Sequence, residues 1–213
     1  FLARNQGCDS RSCPGLASPT VTRSPAAPPS HGARPSKSER TRASLAAATR
    51  DELAVAGAFT AERVAARAGT SPATFYAHFP TKDEALVAAF ALVLEDLVTR
   101  TNAVLTIERL LDDGPEATCA ALVAALIDVF SADALVFRVA LARLHDSRAL
   151  RDLYRRSEAA SLAHLHQFVV RGQAAGLLAG GSPDEIAELV LVLSQGVNNR
   201  SEEHTSELQS HHD

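Results

Sequence analysis

Four side chains within a short stretch could hold the phosphates of a nucleic acid: Thr60, Tyr76, His78 and Lys82. A hydroxyl, a phenol, an imidazole and an ammonium all donate hydrogen bonds to phosphate oxygens, and the last adds a full charge. Between them lie Ser71, Pro72, Ala73 and Thr74, small residues that would face base edges through methyl groups and one or two hydroxyls. Direct readout by such residues is modest, so DNA shape and spacing would supply much of the specificity.

Placing these groups requires two short helices around a tight turn, and residues 60–79, T-A-E-R-V-A-A-R-A-G-T-S-P-A-T-F-Y-A-H-F, have that pattern. Thr60 is a good N-cap, and Val64, Ala65 and Ala68 share one apolar face. Gly69 supplies a positive φ to end the helix. Ser71 caps the next helix, with Pro72 at its first position, where a missing N–H costs nothing. Phe75 and Phe79 stand one turn apart and pack inward, which leaves Thr74, Tyr76 and His78 facing outward. Val64, Ala68, Gly69, Phe75 and Phe79 therefore form the core of a helix-turn-helix whose second helix can enter a major groove.

The run A-x-x-A-G-x-S-x-x-T-F-Y-x-H-F-x-x-K, Ala65 through Lys82, resembles the DNA-binding signature of the TetR/AcrR family of bacterial transcription regulators. The likeness is detailed over residues 37–97, and a similar helix layout continues to about residue 199. The resemblance implies an all-α protein: a three-helix head over 37–97, joined by a long fourth helix to a helical ligand-binding and dimerisation body over 98–199. It assigns phosphate contacts to Tyr76 and His78. It further implies a homodimer on a near-palindromic double-stranded operator, an unidentified small-molecule effector, no cofactor, and a place in the bacterial cytoplasm with the nucleoid. In that family the last two helices of each subunit form a four-helix interface. Here the helix from Ser182 to Asn199 is expected, with a further helix missing beyond it. The first helix is also richer in alanine than is usual, and the loop Gly57-Ala58-Phe59 is shorter.

Composition agrees with this layout. Apolar residues make up 46% of the 213-residue chain but aromatics only 5%, and the abundance of Ala and Leu favours helix. The formal net charge of −4 hides an asymmetry. Residues 37–82 hold 7 Lys/Arg against 4 Asp/Glu, whereas residues 83–199 hold 9 against 16. A basic head on an acidic body suits a protein that meets phosphate at one end. No apolar stretch of about eighteen or more residues is evident, so no membrane segment is expected. Of the three cysteines, Cys8 and Cys13 lie near the start and Cys119 is expected as a buried free thiol.

Both ends read differently from the middle. Residues 1–36 contain 6 Pro, 6 Ser and 3 Gly with few aliphatics, a composition expected to stay disordered and read as a non-native arm. Residues 200–213 resemble translated sequencing-adapter DNA, which would place the end of the natural chain near Asn199. No metal role is assigned to His211, His212 and Asp213.

Along the middle, a first helix is expected from Ser38 to about Ala56, with Leu45 and Leu53 in its core. Thr81–Glu84 should form a capping box opening a long helix through Leu86, Phe90, Leu94 and Leu97. Gly114-Pro115 is a breaker, followed by helices from Glu116 to about Phe130, Asp133 to His145 and Arg148 to Ala175. Ser182-Pro183-Asp184-Glu185 opens the last. Phe130, Phe137, His145, Tyr154, His164 and Phe168 are the candidate lining of an effector pocket. His164 and His166 sit too far around one helix to share a metal, so no metal site is expected. Arg151, Arg155 and Arg156 read as a solvated face, with an anion site as the alternative. No G-x-S-x-G, P-loop, H-E-x-x-H or C-x-x-C occurs, so catalysis is not expected. The rival readings are a truncated helical adaptor that binds protein partners without DNA, and an activator sharing the same head.

Overall fold

Side-chain caps open most of the helices. In the structure, a computed structural model describing residues 35–210 and their side chains through residue 196, Ser36 opens α1 (Lys37–Ala56). Its hydroxyl accepts from Glu39 N at 3.1 Å, while Glu39 Oε2 accepts from Ser36 N at 2.6 Å. This reciprocal capping box starts the helix one residue before Ser38. The carboxyl of Glu39 is held below its ordinary range, first by the bond from the Ser36 backbone. Gly57, with φ 63°, closes α1.

α2 (Ala61–Arg67) and α3 (Pro72–His78) follow, capped by Thr60 and Ser71. α4 (Lys82–Val104) departs from the expected capping box. Thr81 Oγ1 accepts from Glu84 N at 3.2 Å, but Glu84 Oε1 takes the Thr81 hydroxyl at 3.3 Å instead of the backbone N–H. Only half of the box forms, because the side-chain hydroxyl competes for the same carboxylate. α4 passes residue 97 without interruption, so the head is carried into the body on one rigid rod.

α5 (Ile107–Ala132) begins nine residues before the expected start, with Thr106 as its cap. Gly114 (φ 82°, ψ 171°) is non-helical and breaks this element into two helical segments, as expected of Gly114-Pro115, and Pro115 opens the second segment, where its missing donor is harmless. α6 (Ala134–Ala142) is shorter than the stretch from Asp133 to His145. α7 (Arg148–Ala174), capped by Ser147, lies close to its expected span. α8 (Pro183–Ser210) runs past Asn199. Residues 200–210 contain neither Gly nor Pro, so nothing local stops the helix there. The reading of residues 1–34 as an arm, and of His211, His212 and Asp213, lies outside the described residues.

α1 packs on α4 and touches α2 and α6; α7 lies along α8, and α5 bridges α4 and α8. The head core joins Leu45, Val64, Ala65, Phe75 and Phe79 with Ala85 of α4. The body core joins Phe90, Val93, Leu126, Val129, Val136, Phe137 and Leu150. Each fully buried large apolar side chain contributes on the order of 1.5–3 kcal/mol relative to exposure.

Two sequence expectations need correction. Cys119 is exposed, because the buried stripe of α5 runs through Thr118, Leu122, Leu126 and Val129 and Cys119 is one residue off it. By length and composition α5 is apolar enough to cross a membrane, with mean hydropathy 1.5 over its most apolar window, contrary to the expectation that no such segment exists. Its buried stripe, Thr118, Leu122, Leu126 and Val129, belongs to a helix that packs on α4 and α8.

Candidate nucleic-acid interface and body cavity

Local bonds set where α2 and α3 begin. Thr60 Oγ1 accepts from Arg63 N at 3.3 Å, and Ser71 Oγ accepts from Thr74 N at 3.2 Å. Gly69 adopts φ 66° between the two helices, a conformation that strains any side-chain-bearing residue even though the space beside it is open. Phe75 and Phe79 are both 0% exposed, with ring centroids 5.8 Å apart, and Val64 is likewise sealed. Ala68 is half-buried beside them, and Gly69 lies on the surface.

This anchoring presents the opposite side of α3. Ser71, Pro72 and Ala73 are exposed, and Thr74 is half-buried with its hydroxyl 3.0 Å from Ser71 Oγ. Tyr76 is 47% exposed and stands edge-on to Phe75, while His78 is half-buried. Arg42 of α1 donates to the His78 carbonyl and lies over the Phe79 ring, 4.3 Å from its centroid. It therefore locks the C-terminal end of α3 by a backbone bond and a cation–π contact. Lys82 is exposed in the first turn of α4, and Thr60 is exposed at the head of α2. Thr60, Ser71, Pro72, Ala73, Tyr76 and Lys82 thus reach the surface, while Thr74 and His78 are partly covered.

Sequence reasoning missed the carboxylates that organise the head's charge. Glu52 of α1 is almost fully buried; its Oε1 accepts from Arg67 Nε at 2.8 Å and is ion-paired with Arg67 Nη2 at 2.7 Å. Arg63 Nη2 lies 2.7 Å from Oε2. That contact is an ion pair whose geometry falls outside a hydrogen bond, so Oε2 has charge compensation without a donor. Asp133, 2% exposed, receives Arg50 of α1 in bidentate form, Nε at 2.8 Å and Nη2 at 2.5 Å, and Asp96 takes the same Nη2 at 3.3 Å. The guanidinium of Arg50 is raised in pKa chiefly by Asp133. Three of the seven basic residues of the head are therefore neutralised internally. Among the described residues, Lys37, Arg40, Arg42 and Lys82 make no ion pair. A signal was available: Leu45, Thr49 and Glu52 follow the i, i+4, i+7 spacing of one buried face, and a charge at such a position needs a partner.

The body encloses a cavity of about 250 Å³. α4 contributes Leu94, Leu97 and Thr101, α5 contributes Leu122, Leu126 and Phe130, and α6 contributes Phe137 and Leu141. α7 adds Tyr154, Glu158, Ser161 and Leu165, and α8 adds Val190, Leu191, Ser194 and Gln195. Of the expected lining, Phe130, Phe137 and Tyr154 are present. The other three are elsewhere. His145 is exposed in the turn after α6, 3.0 Å from Asp146; His164 Nε2 is 3.2 Å from the Leu105 carbonyl; Phe168 packs on the body core one turn past Leu165. Glu158 and Gln195, both missed, face the cavity and share a 2.7 Å hydrogen bond. Glu158 is in register with Leu150, Tyr154 and Leu165, so a charge on the apolar stripe was the readable clue.

Arg151 Nη1 donates to the Leu144 and His145 carbonyls at 2.7 Å each, closing the α6–α7 turn, and Arg155 and Arg156 are exposed. His166 pairs with Asp184 at 2.7 Å. Among the described residues no three His, Cys, Asp or Glu side chains are grouped to hold a metal.

The Tyr154 phenol is pushed up to about 12, first by burial and then by the Glu158 charge, while its ring stacks on Phe90 at 6.4 Å. A raised folded-state value means the neutral phenol's contribution is complete below the unfolded value, about 10, and is lost as pH climbs through 12. The chain has two tyrosines. In a Tyr76→Phe variant, phenolate absorbance should therefore report Tyr154 alone, with a midpoint near 12 and stability falling from pH about 10 upward. A midpoint at the ordinary value of about 10 would show an open, solvated phenol.

A helix-turn-helix with its anchored face sealed and its polar face open is thus carried on a rod into a helical body with an internal cavity, an all-helical architecture that couples a candidate DNA-reading head to a chamber. Residues 47–89 match the sequence profile of bacterial regulatory proteins of the tetR family. The profile match is confined to the head, and over about three quarters of its length the chain shares the fold of solved TetR-family regulators. Among solved structures, a Rhodococcus sp. protein described as a TetR-family transcriptional regulator aligns at 23% identity and TM-score 0.58, covering 76% of this chain and 87% of the other. SmeT, the Stenotrophomonas maltophilia efflux-pump repressor, solved with triclosan, aligns at 20% identity and TM-score 0.55, covering 76% and 80%. A Saccharomonospora viridis protein solved in complex with choline aligns at 19% identity and TM-score 0.56, covering 83% and 98%. A search of curated proteins gives no match.

Proposed function

We propose that the protein is a repressor that binds a near-palindromic operator as a homodimer and is released by a small molecule held in the body cavity. It acts in the bacterial cytoplasm, on the nucleoid, without a cofactor and without catalysis. The observation that carries this reading is the orientation of α3. Phe75 and Phe79 are sealed against α1 and α2, so Ser71, Pro72, Ala73 and Tyr76 face outward on one short helix beside Lys82.

In this reading Tyr76, His78, Lys82 and Thr60 hold phosphates, and Ser71 through Thr74 meet base edges. Lys82 sits at the N-terminal turn of α4, where free backbone N–H groups also attract an anion. One head grips one half-site, so useful affinity requires two. The dimer reading is supported by α8, where Leu189, Val192 and Leu193, each about 60% exposed, form an i, i+3, i+4 apolar stripe beside α7.

Release has a plausible route through α6. One side of that helix gives Phe137 and Leu141 to the cavity, and its N-cap, Asp133, is gripped by Arg50 of α1. At the end of α1, the position of a Cβ on Gly57 would lie 3.7 Å from Arg138 and 3.9 Å from Leu135, both on α6. A ligand that displaces α6 therefore displaces the base of the head. It needs only a differential affinity of a few kcal/mol between the two arrangements.

The direct test is salt-dependent binding to DNA fragments selected from a random pool. Lys82→Ala should weaken binding to all sequences alike and lower the slope of log K against log salt by about 1. Changes at Ala73 or Thr74 should shift the selected sequence instead. An intact chain that selects no sequence and shows no salt dependence would favour an adaptor role.

A further inference from the structure

We propose that the body cavity takes an organic cation: a compact, mostly apolar molecule whose ammonium group is held by the carboxylate of Glu158. The inference rests on the reading of the cavity as an effector site and adds the chemical class of the effector.

Among the described residues the lining contains one carboxylate and no Lys, Arg or His. Glu158 accepts a hydrogen bond from Gln195 at 2.7 Å and has the Tyr154 phenol as a further neutral donor partner, and among the described residues it makes no ion pair. The cations of its own helix point elsewhere. Arg151 is committed to the Leu144 and His145 carbonyls, and Arg155 and Arg156 are exposed. His164 is at the Leu105 carbonyl. The neighbouring hydroxyls bring no compensating charge: Thr101 donates to the Leu97 carbonyl at 2.8 Å and Ser194 to that of Val190 at 2.7 Å.

A half-buried carboxylate facing an apolar chamber discriminates among ligands by charge. An anionic ligand would place like charges together in a poorly solvated space. A neutral apolar ligand would strip water from Glu158 and return nothing. A cation recovers that cost, and the rings of Phe130, Phe137 and Tyr154 in the same wall add favourable quadrupole contacts. The volume, about 250 Å³, suits a single aromatic ring bearing a small ammonium head.

The test compares two probes of nearly identical shape on the full chain, benzyltrimethylammonium and its uncharged isostere neopentylbenzene, by calorimetry and thermal melting. The expected result is tighter binding of the cation, reduced about 10- to 100-fold in Glu158→Gln, while the isostere binds both proteins alike. If the isostere binds wild type as well as the cation does, or if Glu158→Gln leaves their ratio unchanged, the charge assignment is overturned while the cavity remains an effector site. If neither probe binds wild type, the effector reading of the cavity falls together with this proposal. Because the two probes are compared on wild type as well, the outcome does not depend on the variant folding.

Discussion

Phe75→Ala is expected to lower the unfolding free energy by about 3–5 kcal/mol and to abolish DNA binding at temperatures where the wild-type protein is stable. The ring is fully sealed, lies 5.8 Å from that of Phe79 and 5.3 Å from that of Tyr76, and fills the space among α1, α2 and α3. A seven-residue helix has too few internal hydrogen bonds to persist alone, so α3 exists because this ring docks it. Truncation leaves a cavity as well as removing apolar contact, and the helices around it are too well capped to collapse inward. A typical domain has only about 5–15 kcal/mol in total, so the loss is a large fraction of it. Phe75→Leu, which keeps much of the volume, should cost less. Urea titration of the two variants checks the magnitude, and fluorescence anisotropy on a selected DNA fragment checks binding. A loss below about 1 kcal/mol for the alanine variant would mean that α3 is held mainly by its caps and by Arg42.

The second large effect concerns the clamp between α1 and α6. Arg50→Ala should destabilise the protein by about 3 kcal/mol, because it leaves the buried Asp133 carboxylate without its bidentate partner. Arg100 does not replace the lost guanidinium, being itself paired with Asp96 at 3.0 Å. The carboxyl of Asp96 is lowered first by that bond and only secondarily by Arg50. Replacing both ends of the clamp with apolar residues, Arg50→Met with Asp133→Leu, should recover much of the loss, since neither charge is then left buried. The double variant also separates stability from signalling. If α6 transmits the state of the cavity to the head through this pair, the double variant should bind DNA while responding weakly to any cavity ligand. Equal responses in wild type and double variant would move the transmission to α4, which touches both the head core and the cavity.

Much of the head was legible because its determinants are local. Thr60, Gly69, Ser71 and Pro72 act on backbone groups within four residues of themselves, so cap, turn and helix start follow from identity and spacing. Phe75 and Phe79 read as inward because one turn separates them. The same locality explains the errors at helix ends. Gly114 reads as a breaker and is one, but the short helical segment that Thr106 opens before it was not read, since its packing against α4 is not local. Phe130, Phe137 and Tyr154 were legible as cavity candidates because large aromatics on helical stripes must face some interior. His145, His164 and Phe168 satisfy the same rule of residue type, yet they meet a turn, a carbonyl and the core.

By itself, then, the sequence determined an all-helical chain, the boundaries of the helix-turn-helix and the polar face its second helix would show, because each rests on interactions within a turn or two. Tertiary structure decided which charges remain available to a ligand. Glu52 takes up Arg63 and Arg67, Asp133 takes up Arg50 across 83 residues, and Glu158 is left facing a chamber with no cation among the described residues of its wall. Those pairings depend on which distant helices come together, and electrostatic energy depends on burial and separation in space, neither of which residue order alone specifies.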